Sequence, residues 1–347
     1  MSKTKLAIFG AAGYGGVEVL RFLRRHPMVE VAFLAAHTNA GKPLSEAFPH
    51  LLGFEDRVLG EADVERAMEA ADVMVFALPH GAGMALVAEA RAAGRKVLDF
   101  SADFRLKNVA VYEKHYGPHA APQLLAEAVY GLPEIHRAEL ADAGLIAVPG
   151  CYPTGAVLAL MPAVREGIVV PQSIIVDSKS GVSGAGRSKL TLTTHFCEAN
   201  ESVSAYSVAS HRHNPEIDQE LSLWGAKVHV TFSPHLIPMN RGILTTAYAD
   251  LTRPMTAAEV HQIYSEAYRN EPFIRLLPIG QYPATKYALG TNYCFIGLAV
   301  DEEAGRLIAM SAIDNLGKGL AGAAVQCLNL AQGWPETLGL EDFALWP

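Results

Sequence analysis

The chain has 347 residues, 50% hydrophobic and 18% charged, with a formal net charge of −8. That length and apolar content suit two folded domains and exclude a disordered chain. The acidic balance excludes a nucleic-acid binder that works by phosphate neutralisation, but it is compatible with a local basic pocket for a small anion.

Residues 5–9 form a short apolar run that stops at Gly10, the pattern of a buried parallel strand. Val17, Leu20 and Leu23 then fall at helical spacing within residues 17–25, and Pro27 ends that helix. Residues 29–36 read as a second strand. The alternation continues with a helix at 64–71, a strand at 73–78, a helix at 83–93 and a strand at 96–100. A short strand at 145–148 leads directly into Pro149, Gly150 and Cys151. This half predicts an α/β Rossmann domain with a doubly wound parallel sheet.

The pattern then changes. A helix at 154–165 is followed by strand-like runs at 173–178, 228–232, 243–251, 293–300 and 307–312. The last two flank a turn at 301–305, and a helix at 257–268 lies among them. This half predicts an α+β domain with a mostly antiparallel sheet. Residues 318–330 form a final apolar helix. No segment repeats, and no apolar run reaches membrane-spanning length. The four cysteines, Cys151, Cys197, Cys294 and Cys327, match no zinc or CxxC spacing. With no secretory signal at the start, these features predict a cytoplasmic protein with reduced thiols, no metal and no membrane partner.

The segment after the first strand is Gly10-Ala11-Ala12-Gly13-Tyr14-Gly15-Gly16. Glycines at this spacing give a tight turn, let the backbone approach a diphosphate and aim a helix N-terminus at the anion. Gly10, Ala12, Gly13, Tyr14, Gly15 and Gly16 are therefore candidate dinucleotide ligands. The second strand ends Ala35-Ala36-His37-Thr38-Asn39. It offers no carboxylate to repel a 2′-phosphate, which points to NADP(H), with Thr38 as a candidate contact. The arginine that usually pairs with that phosphate is also missing there. Lys42 reads as part of a solvated loop.

Cys151 lies between a strand end and a helix start, with Pro153 in the first turn. The positive end of the helix dipole favours a thiolate there, and Gly150 leaves the sulfur approachable. The other three cysteines read as small core residues. A thiolate nucleophile needs a proton partner, and His211-Arg212-His213 supplies two candidates on what reads as one face of an extended chain. His80 ends a strand at the expected cofactor cleft. Arg105, in the polar Asp99–Arg105 end of a buried strand, could hold a phosphate bidentately. Ser180 and Gly181 open a Ser/Gly-rich loop whose N–H groups suit an anion nest. Asn315 precedes the last helix and suits the nicotinamide carboxamide, a helix cap, or both.

Together, GAAGYGG, LPHG at 78–81, DFSADFRL at 99–106, PGCYPT at 149–154, SGVSGAGR at 180–187, HRHNPEI at 211–217 and DNLGKG at 314–319 resemble the N-acetyl-gamma-glutamyl-phosphate reductases, of the semialdehyde dehydrogenase class. The resemblance runs end to end. It implies a Rossmann domain of residues 1–150 and 315–347, with the last helix returning to it, and a catalytic and oligomerisation domain of residues 151–314. It implies Cys151 as nucleophile, His211 or His213 as acid/base, and NADP(H) held by the glycine loop, Thr38 and Asn315. It also implies a homo-oligomer, dimer or tetramer, acting on a small acyl phosphate in arginine biosynthesis through a thioester. His37-Thr38 stands where family members often carry Ser-Arg. The related aminoadipyl-phosphate reductases of lysine synthesis tend to lack the Tyr-Pro that follows this cysteine. Two further readings are a non-catalytic NADP(H) redox sensor and an oxidoreductase without covalent catalysis.

Overall fold

The computed structural model describes residues 3–188 and 191–346. Residues 1–2 and 347 of the expected Rossmann domain, and residues 189–190 of the expected catalytic domain, lie outside the described residues. The chain divides into two compact units. Unit 1 comprises Met1–Pro149, Gly186–Ser188 and Leu320–Glu341; unit 2 comprises Gly150–Ala185, Lys189–Gly319 and Asp342–Pro347. Asn315 to Gly319 therefore group with unit 2 rather than with the last helix, and Gly186 and Arg187, the last two residues of the 180–187 motif, group with unit 1.

Unit 1 runs β1 (Thr4–Phe9), α1 (Tyr14–Leu23), β2 (Val29–Ala35), α2 (Leu44–Ala47), α3 (Val64–Ala70), β3 (Val73–Phe76), α4 (Met84–Ala92), β4 (Lys96–Asp99), α5 (Val109–Tyr116), β5 (Val129–Tyr130), α6 (Pro133–Leu140) and β6 (Leu145–Ala147). The sheet order is β2-β1-β3-β4-β6-β5, and every neighbouring pair is parallel. All carboxyl ends thus share one edge. β2 lies on one side of β1 and β3 on the other, so the crevice of a doubly wound sheet opens at the ends of β1 and β3. Leu6, Ala7, Ile8 and Phe9 are fully buried, as a strand covered on both faces requires. Phe9 stacks on Phe76 at 4.6 Å. β5 is too short to leave a periodic signal, and the sequence does not predict it.

Unit 2 runs α7 (Cys151–Arg165), β7 (Ile175–Ser180), α8 (Phe196–Ala199), β8 (Ser204–Ala205), α9 (Asn214–Leu221), β9 (Thr231–Leu236), β10 (Ile243–Asp250), α10 (Ala257–Ala267), β11 (Ile274–Leu276), α11 (Thr285–Ala288), β12 (Cys294–Asp301) and β13 (Arg306–Ile313). The sheet order is β11-β12-β13-β10-β7-β9-β8. The β7–β9 and β11–β12 pairs are parallel and the rest antiparallel. β9 extends past the expected run, through Pro234, to Leu236.

α7 is buried on all sides from Tyr152 to Val164, which its run of Ala, Leu, Val and Met allows. Pro162 sits inside it and removes one N–H from the helix ladder. Two tyrosines donate to buried carbonyls one turn before it: Tyr268 to Leu158 O at 2.5 Å and Tyr264 to Ala159 O at 2.7 Å. At the other end, Gly155 lets the helix approach the sheet. A Cβ there would lie 3.2 Å from Ser311 Oγ and 3.3 Å from Thr245 Oγ1. Ser311 Oγ donates to Gly155 O at 2.8 Å. The helix that begins at Cys151 is thus fixed at both ends. α12 (Gly322–Ala331) closes unit 1, where Asn329 Oδ1 meets the buried His26 Nε2 at 2.9 Å.

Candidate active site

Cys151 is the first residue of α7, and Gly150 is its extended N-cap. The thiol is half-buried. Unsatisfied N–H groups of a first helical turn favour negative charge at this position. Two contacts hold the approach. Glu216, 2% exposed in the first turn of α9, accepts from Gly150 N at 2.7 Å. Gly319 packs so closely that an added Cβ would lie 2.8 Å from Cys151 Cβ. The DNLGKG segment is therefore the wall against which the nucleophile rests. Asp314, fully buried, fixes that wall: it accepts from Arg241 Nε at 2.9 Å, Gly290 N at 2.6 Å, Leu316 N at 2.8 Å and Gly317 N at 3.0 Å.

An aromatic shell adjoins the cysteine. The Tyr152 ring lies 5.6 Å from His211, 6.1 Å from His213 and 5.3 Å from Phe232, all edge-on. Tyr206 Oη donates to Tyr152 Oη at 3.0 Å, and Tyr152 Oη donates to His235 O at 3.2 Å. Burial pushes the Tyr206 phenol up to about 12, with the Cys151 sulfur adding to the shift and the Tyr152 hydrogen bond opposing it. Both hydroxyls therefore stay protonated beside the sulfur.

His211 and His213 meet as expected, but not on an extended chain. They flank a turn in which Asn214 N donates to His211 O at 3.0 Å, and their rings are edge-to-face at 4.9 Å. His211 Nδ1 accepts from His213 N at 3.1 Å, so the ring is neutral with its proton on Nε2. Burial, reinforced by the neighbouring Arg212 charge, lowers its pKa to about 4. His213 is the N-cap residue of α9.

Four of the expected ligand residues, Arg105, Ser180, Gly181 and Asn315, make hydrogen bonds within their own unit. Arg105 is 3% exposed and donates from Nε to Val148 O at 2.7 Å and from Nη2 to Phe100 O at 2.8 Å. It ties together the main chain after β4 and β6, instead of presenting a two-pronged fork to a phosphate. The polar stretch that suggested an exposed site is a buried network. There, Ser101 Oγ donates to Asp99 Oδ2 at 2.6 Å, and burial raises the Asp99 carboxyl to about 7. The 180–183 loop is likewise committed. Gly181 N donates to Gly242 O, Val182 N to Met239 O and Ser183 N to Asn240 O, while Ser180 Oγ donates to Gly181 O. These successive N–H groups form ladder-like bonds and not an anion nest. Asn315 Oδ1 accepts from Gly242 N at 2.7 Å and its Nδ2 donates to Ser183 Oγ at 2.9 Å, so its amide braces this loop within unit 2.

In unit 1 the glycine loop has the shape its sequence predicts. Gly10 adopts φ +80°, and a Cβ there would lie 2.2 Å from Ala77 O; one on Gly16 would lie 2.5 Å from Gly10 O. α1 follows with Gly13 as a cap that has no capping side chain. Ala12 lies on this turn, and Tyr14 and Gly15 open α1. The cradle fits a dinucleotide diphosphate. His80 Nδ1 accepts from Ala102 N, and Gly81 N donates to both oxygens of the buried Asp103, fixing the loop after β3. Thr38 is exposed after β2, beside a cavity of ≈ 360 Å³ lined by Ala36, His37, Glu61, Ala62 and Asp63.

Sequence reasoning missed Glu216, Tyr206, Asp314, Gly319 and Asp103. Glu216 and Asp314 lie inside quoted motifs, but nothing local shows which distant amide each one meets. Tyr206 lies outside every motif.

Comparison with known proteins agrees with this geometry. Residues 5–143 match the semialdehyde dehydrogenase NAD binding domain, and residues 151–315 the semialdehyde dehydrogenase dimerisation domain. The chain is 50% identical over 345 residues to the N-acetyl-gamma-glutamyl-phosphate reductase of Pelotomaculum thermopropionicum, covering 99% of each chain. It is 49% identical over 345 residues to that of Desulfotalea psychrophila and 47% identical over 348 residues to that of Synechocystis, again with 99% of each chain covered. Among solved structures, aspartate semialdehyde dehydrogenase II of Vibrio cholerae, complexed with ASA, superposes with a TM-score of 0.73 at 18% identity, over 96% of this chain and 99% of that one. Aspartate semialdehyde dehydrogenase with NADP from Candida albicans gives 0.72 at 16% identity, over 95% and 99%. At those identities the structures speak for the fold alone. The full-length sequence identity carries the assignment further: this chain belongs to the N-acetyl-gamma-glutamyl-phosphate reductases, within the semialdehyde dehydrogenase family.

Proposed function

We propose that this chain reduces N-acetyl-L-glutamyl 5-phosphate to N-acetyl-L-glutamate 5-semialdehyde in arginine biosynthesis, using NADPH and a thioester on Cys151. The observation that carries this reading is the placement of Cys151: a half-buried thiol at the start of a fixed helix, walled by Gly319 and followed by Tyr152, whose ring packs edge-on against His211 and His213 and whose hydroxyl meets that of Tyr206.

The thiolate attacks the acyl carbon, a C–S bond forms, and the C–O bond to phosphate breaks with its electron pair leaving on phosphate. Cys151 holds the acyl group as a thioester, which separates phosphate loss from reduction. The glycine loop, with Gly10, Ala12, Gly13, Tyr14, Gly15 and Gly16, would hold NADPH, with Thr38 beside the ribose; the cofactor supplies hydride to the thioester carbon. The sulfur leaves as the aldehyde forms. His211, neutral with its proton on Nε2, or His213 beside it donates a hydrogen bond to the developing oxygen. Glu216 and Gly319 position the sulfur. Arg105 acts from inside unit 1 as a positioning residue, and Ser180, Gly181 and Asn315 shape the loop next to the substrate.

Among the described residues, no helix is long and apolar enough to cross a membrane. We read the chain as a cytoplasmic homo-oligomer assembled through unit 2, the part that matches a dimerisation domain. Light scattering on the purified chain checks this, and a monomer at micromolar concentration would contradict it.

The activity is best tested in reverse. N-acetylglutamate semialdehyde and NADP+ should yield NADPH absorbance only when phosphate is added. Phosphate-independent turnover would point to plain aldehyde oxidation instead. Forward kinetics on the glutamyl and aminoadipyl acyl phosphates should favour the glutamyl compound.

A further inference from the structure

The six residues that follow β2, residues 36–41, include no lysine or arginine for a phosphorylated dinucleotide. Lys42, the nearest basic residue in the chain, is paired with Glu46 at 2.6 Å. The charged residues lining the adjacent cavity are the carboxylates Glu61 and Asp63. A cation does reach the glycine loop, from a distant part of the sequence. Arg187 groups with unit 1. Its Nη1 donates to Ala12 O, on the glycine loop, at 3.1 Å, and its Nη2 donates to Ala47 O, at the end of α2, at 2.7 Å. Its guanidinium carbon lies 4.3 Å from the centre of the Phe48 ring.

We propose that Arg187 is a ligand for a phosphate group of the dinucleotide. The proposal rests on the reading that unit 1 binds NADPH. Three features support it. The two anchors follow β1 and β2, the strands whose carboxyl ends bracket a dinucleotide in this fold. Both anchors are carbonyls, so they orient the guanidinium without neutralising it, and no carboxylate among the described residues pairs with it. A guanidinium has five N–H groups, and these two bonds leave the others for an anion. The side chain is exposed, and a residue of merely structural purpose would have little reason to hold a charge at the lip of a phosphate cradle. The shared chemistry is a phosphate oxygen, which belongs either to the diphosphate or to the 2′-phosphate.

Calorimetric titration of the full chain with NADPH and with NADH tests this without turnover. Arg187→Ala should weaken NADPH binding by roughly ten- to a hundredfold, the range for a charge-assisted hydrogen bond. Arg187→Lys should recover part of that loss. The thermal midpoint without nucleotide should not change, because both hydrogen bonds lie at the surface. Equal weakening of NADPH and NADH places the contact on the diphosphate; weakening of NADPH alone places it on the 2′-phosphate. Wild-type binding of NADPH with an unchanged constant in Arg187→Ala would overturn the proposal. Failure of the wild type to bind NADPH would instead strike the cofactor reading beneath it.

Discussion

The glycine loop of unit 1 and the cysteine pocket of unit 2 solve their problems with different materials. The first is built almost wholly from main chain. Gly10 and Gly16 are glycines because any Cβ would strike a neighbouring carbonyl, and the helix cap carries no side chain. The second is built from side chains brought together over long sequence distances: Glu216 on Gly150, Tyr206 on Tyr152, Gly319 against Cys151. A main-chain site depends on a short stretch of sequence and tolerates side-chain changes around it. A side-chain site depends on the whole fold of its unit, and each member is exposed to loss.

Substitutions can break or sharpen that contrast. The largest effect belongs to Cys151→Ser, which should lower kcat by at least about 10⁴-fold while NADPH binding survives. Retained turnover would remove the nucleophile. Next comes Gly10→Ala, where φ +80° and a 2.2 Å clash leave no room for a methyl. It should cost roughly 2–4 kcal/mol in chemical denaturation and abolish nucleotide binding. A fully stable variant would show that the loop is less constrained than its backbone implies. Glu216→Gln keeps the shape but loses the charge behind Gly150. It should lower kcat by about 10- to 100-fold with little change in KM, whereas a change in KM alone would make Glu216 a binding residue.

His211 gives unit 2 a pH signature. Its folded pKa, about 4, lies below the unfolded value of 6.5, so below pH 6.5 the unfolded chain binds the extra proton. Its contribution is therefore fully present above pH 6.5 and is lost as pH falls towards 4, by at most about 3 kcal/mol. Denaturation curves of His211→Gln should lack that part of the acid slope, and an unchanged slope would contradict the neutral assignment. The smallest effect should come from Thr38→Val, at most about threefold in the NADPH constant, because an exposed neutral hydroxyl offers one hydrogen bond that water can replace. A tenfold loss there would erase the contrast between the two sites.

The same contrast explains what could be read in advance. The parallel sheet of unit 1, its glycine loop and the strand-to-helix position of Cys151 all follow from local patterns of apolar spacing and turn residues. The expected ligands Arg105, Ser180 with Gly181, and Asn315 share one feature. Each lies inside a quoted motif, and only the fold shows which hydrogen bonds it makes: to Val148 and Phe100, to residues 239–242, or to Gly242 and Ser183. Burial decided their roles, and polarity in sequence does not report burial. Glu216 and Tyr206 were missed for the complementary reason, since their partners lie 54 or more residues away.

The covalent step on Cys151 is the centre of this account, and it can be isolated. The purified chain should be mixed with the acyl phosphate in the absence of NADPH, quenched in acid, digested and weighed by mass spectrometry. The N-acetylglutamyl group should appear on the peptide that contains Cys151 and disappear when NADPH is added before the quench. An unmodified Cys151 peptide from enzyme that turns over normally would contradict the thioester mechanism.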